Sequence, residues 1–174
     1  MLFGVHRLIR TLRRTHHKKS LINISRVYEL LGKIVNETKM DRALILYTTN
    51  GGGVPHVGAR LYASVLYEVT NDHIKSVKDE FNRVEVDETY VDLLVQVNNQ
   101  RHGVILETMS MRPGLLQSIY FREKITTSFV VRLADTPKKF YYLSVQTTAK
   151  DKTIDLATIR LAANELKRIF KYAR

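Results

Sequence analysis

Between residues 21 and 39, apolar side chains recur at helical spacing. Val27, Leu30, Leu31, Ile34 and Val35 fall on one face of LINISRVYELLGKIVNETK. That period predicts an amphipathic helix whose stripe packs into a core. The pattern then changes: Ala43-Leu44-Ile45-Leu46-Tyr47 is apolar without alternation, which predicts a strand covered on both faces near the middle of a sheet. A second strand is expected over Leu61 to Val69, beyond a glycine-rich turn at residues 50–58. Residues 71–83 are polar, with room for a short helix. Residues 88–101 predict a helix with Tyr90, Val91, Leu94 and Val97 grouped, and Gly103 as its C-terminal cap. A strand follows at Val104 to Met109, then a turn at Arg112-Pro113-Gly114 and a short helix over Leu115 to Tyr120. Thr126 to Leu133 and Phe140 to Thr148 are β-rich, and Asp135-Thr136-Pro137-Lys138-Lys139 between them has hairpin chemistry. The chain's last pattern is a helix over 154–172. Ile159, Ala162, Leu166, Ile169 and Phe170 make its apolar face, and Lys167, Arg168 and Lys171 sit where the helix dipole favours cations.

This order predicts an α/β (α+β) domain: a single, mostly antiparallel sheet flanked by helices. The segments ISRVYELLGKIVNETKMDRALILY, TTSFVVRLADTPKKFYYLSVQTT and DLATIRLAANELKRIF resemble, in pattern and over about residues 21–172, a GAF-type sensory domain. The resemblance implies ligand sensing, dimerisation or scaffolding, in some members with a cyclic nucleotide or a tetrapyrrole. No residues of a cyclic-nucleotide site can be carried over. The cysteine that anchors a bilin in some members is impossible here, because the 174 residues contain none. No cofactor is expected.

The missing cysteines also exclude disulfides, thiolate metal sites and a cysteine nucleophile, and fit a reducing, cytoplasmic setting. No apolar run approaches the roughly 20 residues of a membrane span. Charge changes the picture more. Lys and Arg exceed Asp and Glu by 28 to 17, giving +11. Six of those excess charges, Arg7, Arg10, Arg13, Arg14, Lys18 and Lys19, lie in residues 1–19, where no acid occurs; the rest of the chain carries +5. On a helix, Leu2, Val5, Leu8, Ile9 and Leu12 share one side of this arm and His6 and the arginines the other. The chain thus divides into a basic amphipathic arm, 1–20, and a body, 21–174. Such an arm suits a groove on a protein assembly or a like subunit, nucleic-acid phosphates, or an anionic membrane surface, and it also resembles a mitochondrial presequence. Protein docking is the favoured expectation. A nucleic-acid-binding structural or accessory protein, phage- or virus-encoded and virion-associated, is the alternative.

Candidate chemistry is sparse. Gly51-Gly52-Gly53 joins two strands and lacks the lysine and following helix of a phosphate loop, so it predicts a turn. None of the histidines His6, His16, His17, His56, His73 and His102 has a partner at metal-ligand spacing; His56, beside the glycines, is the one suited to a pocket. Asp79, Glu80, Glu85, Asp87, Glu88 and Asp92 form an acidic segment that predicts a solvated face or a seat for a neighbour's basic arm. Ser128 and Ser144 lack a nucleophile elbow. Tyr120, Phe121, Phe140, Tyr141 and Tyr142 interleave with Arg122, Lys124, Lys138 and Lys139, a composition that can stack bases and meet phosphates. Those four cations, with the six of the arm, are the expected partner- or nucleic-acid-binding residues. No catalytic residue and no metal site is expected.

Overall fold

The computed structural model describes residues 2–50, 58–136, 138–150 and 152–171, with side chains inside the first helix described from Ser20 onward. That helix, α1, spans Leu2–Thr38 as one element. The boundary expected at residue 20 therefore falls inside a continuous helix. Its predicted stripe is buried from Val27 to Val35. It stops where the Thr38 hydroxyl turns back onto the Ile34 carbonyl (2.6 Å) and Lys39 takes a left-handed conformation, φ 56°.

Six strands follow: β1 (Arg42–Thr49), β2 (Tyr62–Thr70), β3 (Val84–Glu85), β4 (Val104–Glu107), β5 (Thr127–Asp135) and β6 (Phe140–Thr147). They form one sheet in the order β3-β2-β1-β6-β5-β4, with every pairing antiparallel. The unalternating apolar run lies in the interior strand β1, covered on both faces as its pattern requires. Ala43 and Ile45 join one core with Phe129, Val131, Leu143 and Val145. Leu44 and Leu46 join the other with Val65, Val130 and Tyr142.

The first core is closed by α1 and by α4 (Leu156–Phe170), through Ile159, Ala162, Ala163, Leu166 and Phe170. Arg26 bonds Glu165, while Lys152 reaches the Lys39 carbonyl at the far end of α1. The two helices therefore run antiparallel. The second core is closed by α2 (Glu88–Asn99) and α3 (Leu115–Arg122). Asp87 ties both to the sheet's edge region. Its carboxylate caps α2 by accepting from the Tyr90 amide (3.0 Å) and also accepts from the Leu115 amide at the start of α3 (2.8 Å).

Three expectations need correction. Residues 71–83 form turns, not a helix, because the Glu68 carboxylate captures the amides of Val77 and Lys78 (both 3.0 Å), an alternative to helical pairing. On α2 the buried set is Tyr90, Leu93, Leu94 and Val97; Val91 faces outward. Gly103 does not cap α2, which ends at Asn99 with Gln100 as its C-cap. It closes the following turn at φ 88°, donating to the Gln100 carbonyl (3.0 Å). The glycine-rich segment 51–57, with His56, lies outside the described residues.

Candidate functional site

The concavity of this fold is the sheet face under α2 and α3. Here it is filled. Phe81, Tyr90, Tyr120 and Tyr142 project into it, with Leu46, Leu93 and Leu116 around them, and the space left for water-sized occupants is about 30 Å³. That is room for about two waters, and far below the several hundred Å³ of an ordinary small-molecule pocket. The tyrosine hydroxyls are satisfied internally. Tyr90 and Tyr142 hydrogen-bond each other at 2.5 Å, and Tyr120 bonds Ser128 at 2.8 Å. Burial raises the pKa of all three phenols, so none ionises near neutral pH. Phe81 stacks on Tyr90, with ring centroids 6.4 Å apart.

At one end the filling becomes ionic. Arg42 of β1 is buried beside Glu68 of β2 (Nε to Oε1, 3.4 Å) and Glu123 after α3 (3.5 Å), and it donates to the Lys75 carbonyl (2.8 Å). The guanidinium fastens two strands, the 71–83 turns and the α3–β5 corner to one another. A buried triad of this kind fixes geometry more surely than it adds stability. It offers no nucleophile or open metal position, and among the described residues no group of His, Asp and Glu could hold a metal ion.

Five of the six acids of the acidic segment have partners within the chain, most of them in exposed ion pairs. Glu80 pairs with Lys75 and Arg122, Glu85 with Arg60, Glu88 and Asp92 with Arg112, and Asp87 caps helices. The aromatic run divides by strand alternation. Tyr141 and Tyr142 are core, Tyr120 is buried, and Phe121 alone is exposed at 52%. Arg122 and Lys124 precede β5, whereas Lys138 and Lys139 follow it. A nine-residue strand, about 26 Å at 3.3 Å per step, separates the two pairs, so the sequence-predicted cations of the body do not make one patch. Lys139 lies over the Tyr47 ring at 4.5 Å, and Arg122 is paired with Glu123 (3.1 Å). The arm cations Arg7, Arg10, Arg13, Arg14, Lys18 and Lys19 ride on the first half of α1, and their side chains lie outside the described residues.

Sequence reasoning did not find a second cleft, between α4 and the turn after α2. Arg101, His102, Arg160, Asn164 and Lys167 line it. Three of these recur at i, i+4 and i+7 along α4, a stripe beside the apolar face that is visible in the sequence. The other two come from a turn 58 residues upstream of Arg160.

No protein-family model matches this sequence, and no curated protein matches it. Solved structures do. A GAF domain of Synechocystis sp., captured in its photoproduct state, superposes with a TM-score of 0.58 at 12% identity, covering 83% of this chain and 90% of that one. The GAF domain/HD domain protein of Geobacter sulfurreducens gives 0.58 at 11% identity, over 83% of this chain and 89% of that one. The GAF domain of a two-component sensor histidine kinase from Bacillus halodurans gives 0.53 at 10% identity, over 81% and 90%. The fold is GAF-like: a mixed α/β domain built on one antiparallel six-stranded sheet. Among the described residues no helix is long and apolar enough to cross a membrane.

Proposed function

We propose that this chain is a non-catalytic GAF-like regulatory or assembly module that docks onto an acidic groove of a protein partner through the basic first half of α1. The observation that carries the reading is the course of that helix. Arg26 meets Glu165 on the antiparallel α4, and α4 ends at Phe170, so the part of α1 before about Leu21 runs on past the end of its neighbour. Leu21 and Ile22 are already about 60% exposed. The helix continues from there to Leu2, about 27 Å at 1.5 Å per residue, carrying six cations and no acid.

Two further features support a protein groove. Phosphate backbones call only for the cations, whereas the arm also carries Leu2, Val5, Leu8, Ile9 and Leu12 on one face, which calls for an apolar seat. The arm's six cations, with no acid among residues 1–19, call for an acidic surface beside that apolar seat. The filled face under α2 and α3 favours a scaffold over a small-molecule sensor. One of the GAF neighbours is a domain of a two-component sensor histidine kinase by its description, which supports a regulatory reading.

Nucleic-acid binding is the second reading, favoured by the net charge of +11. One experiment separates the two. The full chain is titrated by fluorescence anisotropy with an acidic amphipathic helical peptide and with single- and double-stranded DNA and RNA, alongside Leu8→Ser/Leu12→Ser and Arg7→Gln/Arg10→Gln/Arg13→Gln/Arg14→Gln variants. Docking predicts that the peptide binds and that both variants lose it. Nucleic-acid binding with a steep salt slope, lost in the arginine variant and indifferent to the leucine variant, would replace docking with the second reading.

A further inference from the structure

The cleft beside α4 gathers positive charge without an acid to answer it. Arg101 and His102 line it from the turn between α2 and β4, Arg160, Ala163, Asn164 and Lys167 from α4, and Val131 from β5. The room inside is about 60 Å³, twice that left in the filled face. At 10–15 Å³ per water this is space for roughly four or five waters, the size of one phosphate group. Arg132 stands close by, held by the Asn98 side-chain oxygen at 2.8 Å. Six other cations of the body, Arg26, Arg42, Arg60, Lys75, Arg112 and Arg122, pair with carboxylates; among the described residues no carboxylate pairs with Arg101, Arg132, Arg160 or Lys167.

We propose that this cleft binds a single phosphate group, free or borne by a small molecule such as a nucleotide, with Arg101, Arg160 and Lys167 as its charged donors and Asn164 as a neutral one. Converging guanidinium and ammonium groups are the chemistry that recognises a compact dianion. The site is distinct from the filled face and from the arm, and it stands on its own geometry.

The local backbone is arranged to hold the donors there. β4 pairs with β5 only from Val104↔Val130 onward, so past that point the β5 edge is covered by the turn carrying Arg101 and His102. Gly103 lets the turn sit that close. At φ 88°, a Cβ would lie 2.4 Å from Phe129 Cζ and 2.9 Å from the Val130 carbonyl oxygen. The Arg160 guanidinium rests 6.0 Å from the centroid of that same Phe129 ring. The charges also press on one another. Burial lowers the Lys167 pKa, and Arg132 and Arg101 lower it further. An anion would relieve that repulsion. The helix dipole accounts for Lys167 and Arg168 in the last turn of α4, but not for Arg160 two turns earlier or for Arg101 on another element.

The test is a backbone NMR titration of the full chain with inorganic phosphate and with AMP at constant ionic strength, chloride being the control, together with thermal melts. Saturable shifts confined to residues 101–103 and 160–167 are expected. Arg160→Gln/Lys167→Gln should weaken them about tenfold or more, the scale of losing charge-assisted hydrogen bonds. Arg112→Gln, on a paired cation elsewhere, should not. The double variant without phosphate should melt no lower than the parent, since it removes like-charge repulsion, and phosphate should raise the melting temperature of the parent only. Tighter binding of AMP would make the ligand a nucleotide, and equal binding would make it free phosphate. Shifts that chloride reproduces, shifts unchanged in the double variant, or a response to DNA alone would overturn the proposal. Neutralising the arm leaves the expected result unchanged, so failure here is distinguishable from failure of the docking reading.

Discussion

If the concave face is filled and dry, the Tyr90–Tyr142 hydroxyl pair should behave as a closed unit. The two residues are 2% and 1% exposed, and each hydroxyl has the other as its partner at 2.5 Å. Tyr90→Phe removes one oxygen while keeping the ring, so no core cavity complicates the result. It strands the Tyr142 hydroxyl in an apolar site, which costs about 1–3 kcal/mol. Tyr142→Phe strands Tyr90 at the same cost. The double variant strands nothing and should sit within about 1 kcal/mol of the parent. The cycle therefore predicts a favourable coupling of about 1–6 kcal/mol, close to the sum of the two single costs and large against a typical domain stability of about 5–15 kcal/mol. Urea unfolding measures it, as midpoint shifts at unchanged slope. Simple additivity of the two single costs would refute the reasoning. It would mean that water reaches both hydroxyls and that the face is an open, hydrated pocket.

Gly103→Ala should cost about 2–4 kcal/mol in urea unfolding, about 1 kcal/mol from the left-handed conformation and the rest from overpacking against Phe129. Asp87→Ala should cost about 2 kcal/mol, since it removes the α2 cap and the acceptor for Leu115 together, and hydrogen exchange should quicken at the starts of both α2 and α3. Asp41 gives a pH dependence. Burial opposes its ionisation, but bonds from the Thr148 amide and hydroxyl, Thr147 and Asn71 outweigh burial and hold its pKa below the usual 3.8. Its contribution is thus fully present above that value and is lost as pH falls through the lower, folded-state pKa; Asp41→Asn should flatten the acid limb of the stability profile.

The parts of this molecule legible in its sequence are those that local pattern decides. The unbroken run Ala43–Tyr47 pointed to an interior strand by its shortness and lack of alternation, and the stripes of α1 and α4 followed from spacing alone. What the sequence concealed depends on side chains that act far from their own position. Glu68 lies in a strand, yet its carboxylate organises Val77 and Lys78 into turns where polar composition allowed a helix. Leu93 belongs in the second core in place of Val91 because Tyr90, Leu93, Leu94 and Val97 form the i, i+3, i+4, i+7 stripe; that signal was in the sequence, and grouping Val91 missed it. The cluster of Arg122, Lys124, Lys138 and Lys139 looked continuous beside its aromatics. A single strand between them sends the two pairs to opposite ends of the sheet. The basic cleft carried half a signal, Arg160, Asn164 and Lys167 on one helix face; its other half arrives through the fold.

The distribution of charge gives the two proposals a common physical root. Outside residues 1–19 the chain carries a surplus of only +5, and its acids are largely spent on Arg26, Arg42, Arg60, Lys75, Arg112 and Arg122. Surplus cations spread over a surface need no explanation, because solvent screens them. Arg101, Arg160 and Lys167 gathered at one cleft, with Arg132 close by, do: the Lys167 pKa is depressed first by burial and then by the nearby Arg132 and Arg101 charges. The arm, with six cations and no acid in its sequence, and the cleft, whose lining holds no carboxylate, are two concentrations of positive charge that differ in form. The arm is a long helix face with an apolar stripe, suited to a macromolecular groove, whereas the cleft is concave and holds one small anion. A ligand in the cleft would bridge α4 to the turn that ends α2, and α4 is the helix that α1 lies against through Arg26 and Glu165. Occupancy of the cleft therefore bears on the element that anchors the arm.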